Sequence, residues 1–271
     1  MHKMLFGFAI NAGGVDMEKA KLVLAGIGIS DEQGISLAGL EALRACNKIY
    51  AENYTNLQPE GTLQRLEALC GKKIVLLSRE AVEGEKEILE SAAKRPTALV
   101  TAGDPMIATT HISLLLAAKK RGISVEIIHA SSIISFAIGE SGLQAYKFGK
   151  TVTLAYWRDN YKPMSAYDVI SENLSRGLHT LLLLDIDEKL GPMKPGIAAQ
   201  VLLQMEAEGK KKIFSPSTKL VLLKGLGWRE PTKKYCAISE LEKYDGKQGP
   251  AVIMVPSPTL HFLELEFIEH L

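Results

Sequence analysis

Five short apolar runs constrain this chain more than any other feature. Lys21–Ile27, Lys48–Ala51, Ile74–Leu77, Thr97–Thr101 and Val125–His129 read as strands, and segments of helical spacing lie between them. The first and fourth, KLVLAGI and TALVT, are apolar on consecutive positions. A strand of that kind belongs in a sheet covered on both faces. Strand and helix alternating over roughly 130 residues predict a mostly parallel α/β sheet. The helical segments are Ser36–Ala45, Thr62–Cys70 (closed by Gly71), Glu83–Lys94, a run from near Ala108 through Ser113–Arg121, and one from Ile133 to about Gly139.

Small or polar residues gather at the ends of four of these strands: Gly28, Glu52–Thr55, Gly103–Asp104 and Ser131–Ser132. Carboxyl ends of parallel strands share one edge, and ligands bind at that edge in open α/β sheets. The stretch Thr97–His111, TALVTAGDPMIATTH, carries the point best: Gly103 frees the turn, Pro105 fixes its φ, and Asp104 sits where strand meets helix. The plain alternative is Asp104 as a turn cap. Gly26-Ile27-Gly28 begins like a dinucleotide fingerprint, but Asp31 stands where the third glycine is needed.

From Lys147 the pattern changes. Thr151–Tyr156 alternates as a strand, Asp168–Arg176 is helical, His179–Asp185 is a buried strand and Ile197–Glu208 is a helix. Lys219–Leu226, Tyr235–Ile238 and Ala251–Val255 are strands, and the first two, with no long helix between them, predict antiparallel pairing. The expected organisation is an α/β domain over 21–146 and a mixed α+β domain over 147–271. Residues 1–20 read as an N-terminal extension, with Met17 an alternative start of translation.

Net charge is +1, which gives no footprint for nucleic acid or a membrane surface. No apolar run is long enough to cross a bilayer. Cys46, Cys70 and Cys236 lie far apart without a CxxC, which disfavours disulfides or a cysteine zinc site and fits a reducing cytoplasm. His261 and Glu264 have a spacing open to metal binding, but no further ligands accompany them.

GIGISD, AENYT, SRE, GDPMIATTH and HASSI, each after one of the five strands, together with YKFGK, RGLHTLLLLDI and PSPTLHFLELE, resemble the diphthine synthases. These belong to the tetrapyrrole methylase-like superfamily, and YKFGK looks closest to their archaeal branch. The resemblance implies a two-domain fold binding S-adenosylmethionine in the interdomain cleft and releasing S-adenosylhomocysteine, without a metal. It implies a cytoplasmic homodimer in diphthamide biosynthesis. Its protein substrate would be translation elongation factor 2, with trimethylation of the amino group on the modified histidine. Carried over by position, the cofactor contacts are Ile29, Asp104, Ile107, Ser132, Ile133, Leu183, Leu226 and Ala251. Leu226 lies in KGLG where relatives read ARAG, and Ala251 stands at a position that is often His.

Methyl transfer demands alignment and exclusion of water more than an acid–base dyad. The expectation is that Asp104 orients the cofactor through its ribose or amino group. Acceptor-side candidates are Glu52, Tyr54, Arg79, Glu80, His111 and Lys147, against the plainer readings of a surface pair for Glu52 and a helix-start histidine for His111. His179, before an apolar strand, reads as structural. Alternatives are a small-molecule methylase of the tetrapyrrole class and a silent module that binds elongation factor 2.

Overall fold

A computed structural model describes residues 20–55 and 57–271, so the expectations for the extreme N-terminus lie outside the described residues. Five strands form the first sheet: β1 (Lys21–Gly26), β2 (Lys48–Ala51), β3 (Ile74–Leu76), β4 (Thr97–Thr101) and β5 (Ser124–Ile128). Their order is β3-β2-β4-β1-β5 and every pairing is parallel. Consecutive apolar residues feed two cores. Leu22, Leu24, Tyr50 and Leu99 pack on one face, while Val23, Ala25, Ile49, Ala98 and Val100 pack on the other. Side chains alternate across a strand, so only continuous apolar runs satisfy both faces.

The second sheet contains β6 (Val152–Leu154), β7 (Thr180–Leu184), β10 (Lys219–Lys224), β11 (Thr232–Ala237) and β12 (Ala251–Val255). A two-stranded hairpin, β8 (Ile186–Asp187) and β9 (Gly191–Pro192), follows β7. The sheet order is β11-β10-β12-β7-β6, with β6–β7 parallel and the rest antiparallel, including the predicted β10–β11 pair. Helices Ser165–Ser175 and Pro195–Gly209 cover one face of this sheet. The other face packs Leu181, Val221, Leu223, Val252 and Met254 against helix Ile133–Ser141, which follows β5, and against Ile268 of helix Phe262–Glu269. One helix from the first half of the chain thus covers the second sheet.

Two helices differ from the sequence reading. Glu83–Lys94 is not one helix: Arg79–Glu83 and Lys86–Ala92 are separated by Gly84 and by Glu85, whose φ of 60° is left-handed. Ser78 caps the first, its hydroxyl accepting from Ala81 N at 3.3 Å, so the turn starts earlier than periodicity indicated. The helix expected from Ala108 begins at Ile112, because Ala108 takes a φ of 58°. Thr109 Oγ1 donates to Pro105 O at 2.8 Å and His111 Nδ1 does the same at 2.8 Å, holding the intervening loop off the helix.

The loops after β1 and β4 are joined. Gly28 N donates to Gly103 O at 3.2 Å and Gly103 N to Gly28 O at 2.8 Å. Gly26 permits this crossing: a Cβ there would sit 2.4 Å from Gly103 O. No helix among the described residues is long and apolar enough to cross a membrane.

Candidate functional site

The loops at the carboxyl ends of the first sheet face the second sheet across a cleft of about 440 Å³. Ile29 follows β1, Tyr54 and Thr55 follow β2, Arg79 follows β3, Gly103 and Asp104 follow β4, and Ser132 and Ile133 follow β5. The second sheet contributes Thr153 of β6, Leu183 of β7, Ala251 of β12 and Leu226 in the turn after β10. All the carried-over cofactor positions therefore line one cavity: Ile29, Asp104, Ile107, Ser132, Ile133, Leu183, Leu226 and Ala251. The KGLG segment is positioned by two left-handed glycines, Gly225 (φ 63°) and Gly227 (φ 78°). A Cβ on Gly227 would lie 3.0 Å from the Ile29 carbonyl, so glycine lets the two halves of the cleft approach closely.

Asp104 is buried and its carboxylate is occupied by the chain. Oδ1 accepts from Met106 N at 2.9 Å. Oδ2 accepts from Ala130 N at 3.2 Å and pairs with His129 Nδ1 at 2.8 Å. The side chain thus caps its own turn and also clasps the loops after β4 and β5, which shape one wall of the cleft. Ser132 caps helix Ile133–Ser141, accepting from Ser135 N at 3.4 Å.

The acceptor-side candidates divide. Tyr54 and Arg79 line the cleft, with the guanidinium 5.7 Å from the Tyr54 ring centroid. Glu52 is buried and neither faces the cleft nor pairs at the surface. Its carboxylate accepts from Tyr54 N at 3.0 Å, Thr55 N at 3.1 Å and the Thr55 hydroxyl, shaping the loop that carries Tyr54. Glu80 is exposed and outside the cleft. His111 is buried, with Nδ1 on Pro105 O. Tyr54 Oη, Thr101 Oγ1 and His111 Nε2 are buried without a hydrogen-bond partner among the described residues.

Lys147 belongs to a different centre. Buried Glu264 accepts from Lys147 Nζ, Gln144 N and His261 N, each at 2.8 Å, and from His179 Nε2 at 2.9 Å. His179 Nδ1 accepts from Ser257 N at 2.8 Å, which places the imidazole proton on Nε2. Burial lowers the His179 pKa, opposed by Glu264, so the ring is the neutral donor. The His261–Glu264 spacing is a capping box opening helix Phe262–Glu269, not a ligand pair. Among the described residues no group of three metal-ligating side chains gathers.

Sequence reasoning missed Asp185, Trp228 and Leu57, which also line the cleft. Asp185 had a signal: it is the polar residue ending HTLLLLD, as Asp104 ends the run from β4.

The model of the Tetrapyrrole (Corrin/Porphyrin) Methylases matches residues 21–242, and the chain belongs to that family of methyltransferases. Relatives narrow the class. The diphthine synthase of Methanocaldococcus jannaschii is 42% identical over 254 residues, covering 92% of this chain and 98% of that protein. The diphthine methyl ester synthase of Saccharomyces cerevisiae is 39% identical over 264 residues, covering 91% and 88%. A crystal structure of diphthine synthase superposes with a TM-score of 0.82 at 32% identity, covering 92% of this chain and 95% of that one. Within the methylases the chain belongs with the diphthine synthases.

Proposed function

We propose that the cleft binds S-adenosylmethionine and serves the methylation of elongation factor 2. The methylated atom is the amino nitrogen of its 3-amino-3-carboxypropyl histidine, and trimethylation gives diphthine. The observation that carries the cofactor assignment is that the eight carried-over positions, distant in sequence, line a single cavity. Its volume is that of a small-molecule site. Its wall suits a molecule that is part adenine and part amino acid: Ile29, Ile133, Leu183 and Leu226 offer apolar surface, and the loops around Gly103 and Ser132 offer backbone polar groups.

S-adenosylmethionine supplies a methyl group activated on a sulfonium. This chain's part is to orient and to exclude water. Asp104 holds the loops after β4 and β5 in register, so the polar groups of both wall segments stay fixed. Leu57, Ile107 and Trp228 add apolar surface to its lining.

A homodimer working in the cytoplasm completes this reading. Helix Phe262–Glu269 exposes Phe262, Leu263, Leu265 and Phe267 although Ile268 already packs inward, which favours burial of its outer side by a second copy. Sedimentation of the pure protein is expected to give a dimer, and Phe267→Glu a monomer.

Calorimetry tests the cofactor site. S-adenosylmethionine and S-adenosylhomocysteine should each bind once per chain, and Leu183→Trp, which fills the cavity from β7, should abolish both. Undiminished binding to Leu183→Trp would place the cofactor elsewhere.

A further inference from the structure

Among the described residues, three charged side chains line the cleft: Arg79, Asp104 and Asp185. Both oxygens of Asp104 are taken by the chain, which leaves Arg79 and Asp185 to meet a charged ligand. They come from opposite walls, Arg79 from the segment after β3 and Asp185 from the end of β7. Both also line a second cavity that shares Ile186 with the first and runs along Arg158 and the hairpin loop Asp187–Leu190. The pair therefore marks the junction between the cleft and its approach from the hairpin side.

Neither group is saturated. Arg79 Nε donates to Glu83 Oε1 at 2.9 Å, and Nη1 stands 3.6 Å from Glu188 Oε1, while Nη2 has no partner among the described residues. Asp185 Oδ2 accepts one long bond, 3.4 Å, from Tyr156 N, and Oδ1 accepts none among the described residues. Of the other charges along the second cavity, Arg158 pairs with Asp187 and Glu188 stands against Arg79 itself, while Lys189 has no ion-pair partner among the described residues.

We propose that Arg79 and Asp185 recognise the amino-acid headgroup of the acceptor, with Arg79 taking its carboxylate and Asp185 its amino group. The inference rests on the acceptor reading above and adds the residues that read it. A guanidinium fork matches a carboxylate in geometry as well as charge. A carboxylate suits the amine partner for a separate reason. The nitrogen carries positive charge before the first methyl transfer and permanently after the third, so an anion faces it favourably at both ends of the sequence. Together the two charges select a zwitterionic headgroup over an unmodified imidazole, which bears neither a carboxylate nor an alkylamine.

Steady-state methyl transfer to elongation factor 2 bearing the amino-carboxypropyl histidine tests this. Arg79→Ala and Asp185→Asn should each lower kcat/KM for the factor at least tenfold, with KM rising for Arg79→Ala and Arg79→Lys intermediate. Calorimetric affinity for S-adenosylmethionine should stay within threefold of wild type, which also reports an intact fold. Variants whose kcat/KM stays within threefold of wild type would overturn the assignment. So would a parallel loss of S-adenosylmethionine affinity, since it would move both residues to the donor side. Absence of transfer by the wild-type chain would instead overturn the acceptor reading, and this inference with it.

Discussion

The His179 imidazole and the Glu264 carboxylate, 85 residues apart in sequence, meet at 2.9 Å in the interior. Around them Lys147 and Ser257 complete one buried network. YKFGK contributes Lys147, RGLHTLLLLDI contributes His179, and PSPTLHFLELE contributes Ser257 and Glu264. Three of the segments that carry the family resemblance thus do architectural service. They bind the junction after helix Ile133–Ser141 to the edge of β7 and to the C-terminal helix.

Acid should weaken this network. Burial by itself would raise the Glu264 pKa, but Lys147, the Gln144 and His261 amides and His179 outweigh it and hold it at about 2. A carboxyl depressed in the folded state stabilises fully above its unfolded pKa, near 4.3, and that stability is lost as pH falls through about 2. The linkage amounts to about 3 kcal/mol at neutral pH. Neutral His179 acts in the same direction, losing its share as pH falls below the ordinary histidine range. Urea unfolding between pH 7 and pH 3 should show falling stability, and Glu264→Gln should be less stable at pH 7 with a flatter acid limb. A variant with the wild-type profile would refute the assignment.

The crossing of the loops after β1 and β4 should be intolerant of one methyl group. In Gly26→Ala the new Cβ would meet Gly103 O at 2.4 Å and Pro105 Cδ at 2.9 Å, so the Gly28–Gly103 bridge must open. We expect at least tenfold weaker S-adenosylmethionine binding and a destabilisation of about 2 kcal/mol. Gly71→Ala is the contrast: φ is 70° but nothing lies within 4 Å, so it should cost about 1 kcal/mol and leave transfer intact. Equal behaviour of the two variants in calorimetry would contradict the account.

Asp104→Ala removes the clasp between two loops, leaving the Met106 and Ala130 amides without their acceptor. Loss of a buried charge-assisted acceptor costs about 2 kcal/mol or more. S-adenosylmethionine affinity should fall at least tenfold, with Asp104→Asn between the two. Wild-type affinity in Asp104→Ala would remove Asp104 from the site.

Much of the cleft was legible because parallel strands put their ends on one edge: Tyr54, Thr55, Gly103, Asp104 and Ser132 follow from that rule alone. The opposite wall was not, since an antiparallel sheet has no shared carboxyl edge. Leu183, Leu226 and Ala251 came from the resemblance, and Asp185 escaped notice. Glu52 illustrates another limit, for its sequence neighbourhood is polar while the carboxylate is turned inward by the amides of Tyr54 and Thr55. The i, i+3 spacing of His261 and Glu264 serves helix capping and metal binding equally well in sequence. Only the amide contact at 2.8 Å separates them. The break at Glu85 escaped periodicity because a left-handed residue leaves no mark in the apolar pattern.

The most direct measurement is mass spectrometry of the target histidine after incubating elongation factor 2, bearing the amino-carboxypropyl group, with this protein and labelled S-adenosylmethionine. We expect a gain of three methyl groups on that side chain and none on a factor with the unmodified histidine. A fourth would show the methyl-ester-forming activity instead. No transfer, with S-adenosylmethionine bound normally, would rule out elongation factor 2 as the acceptor and leave a methylase fold with another one.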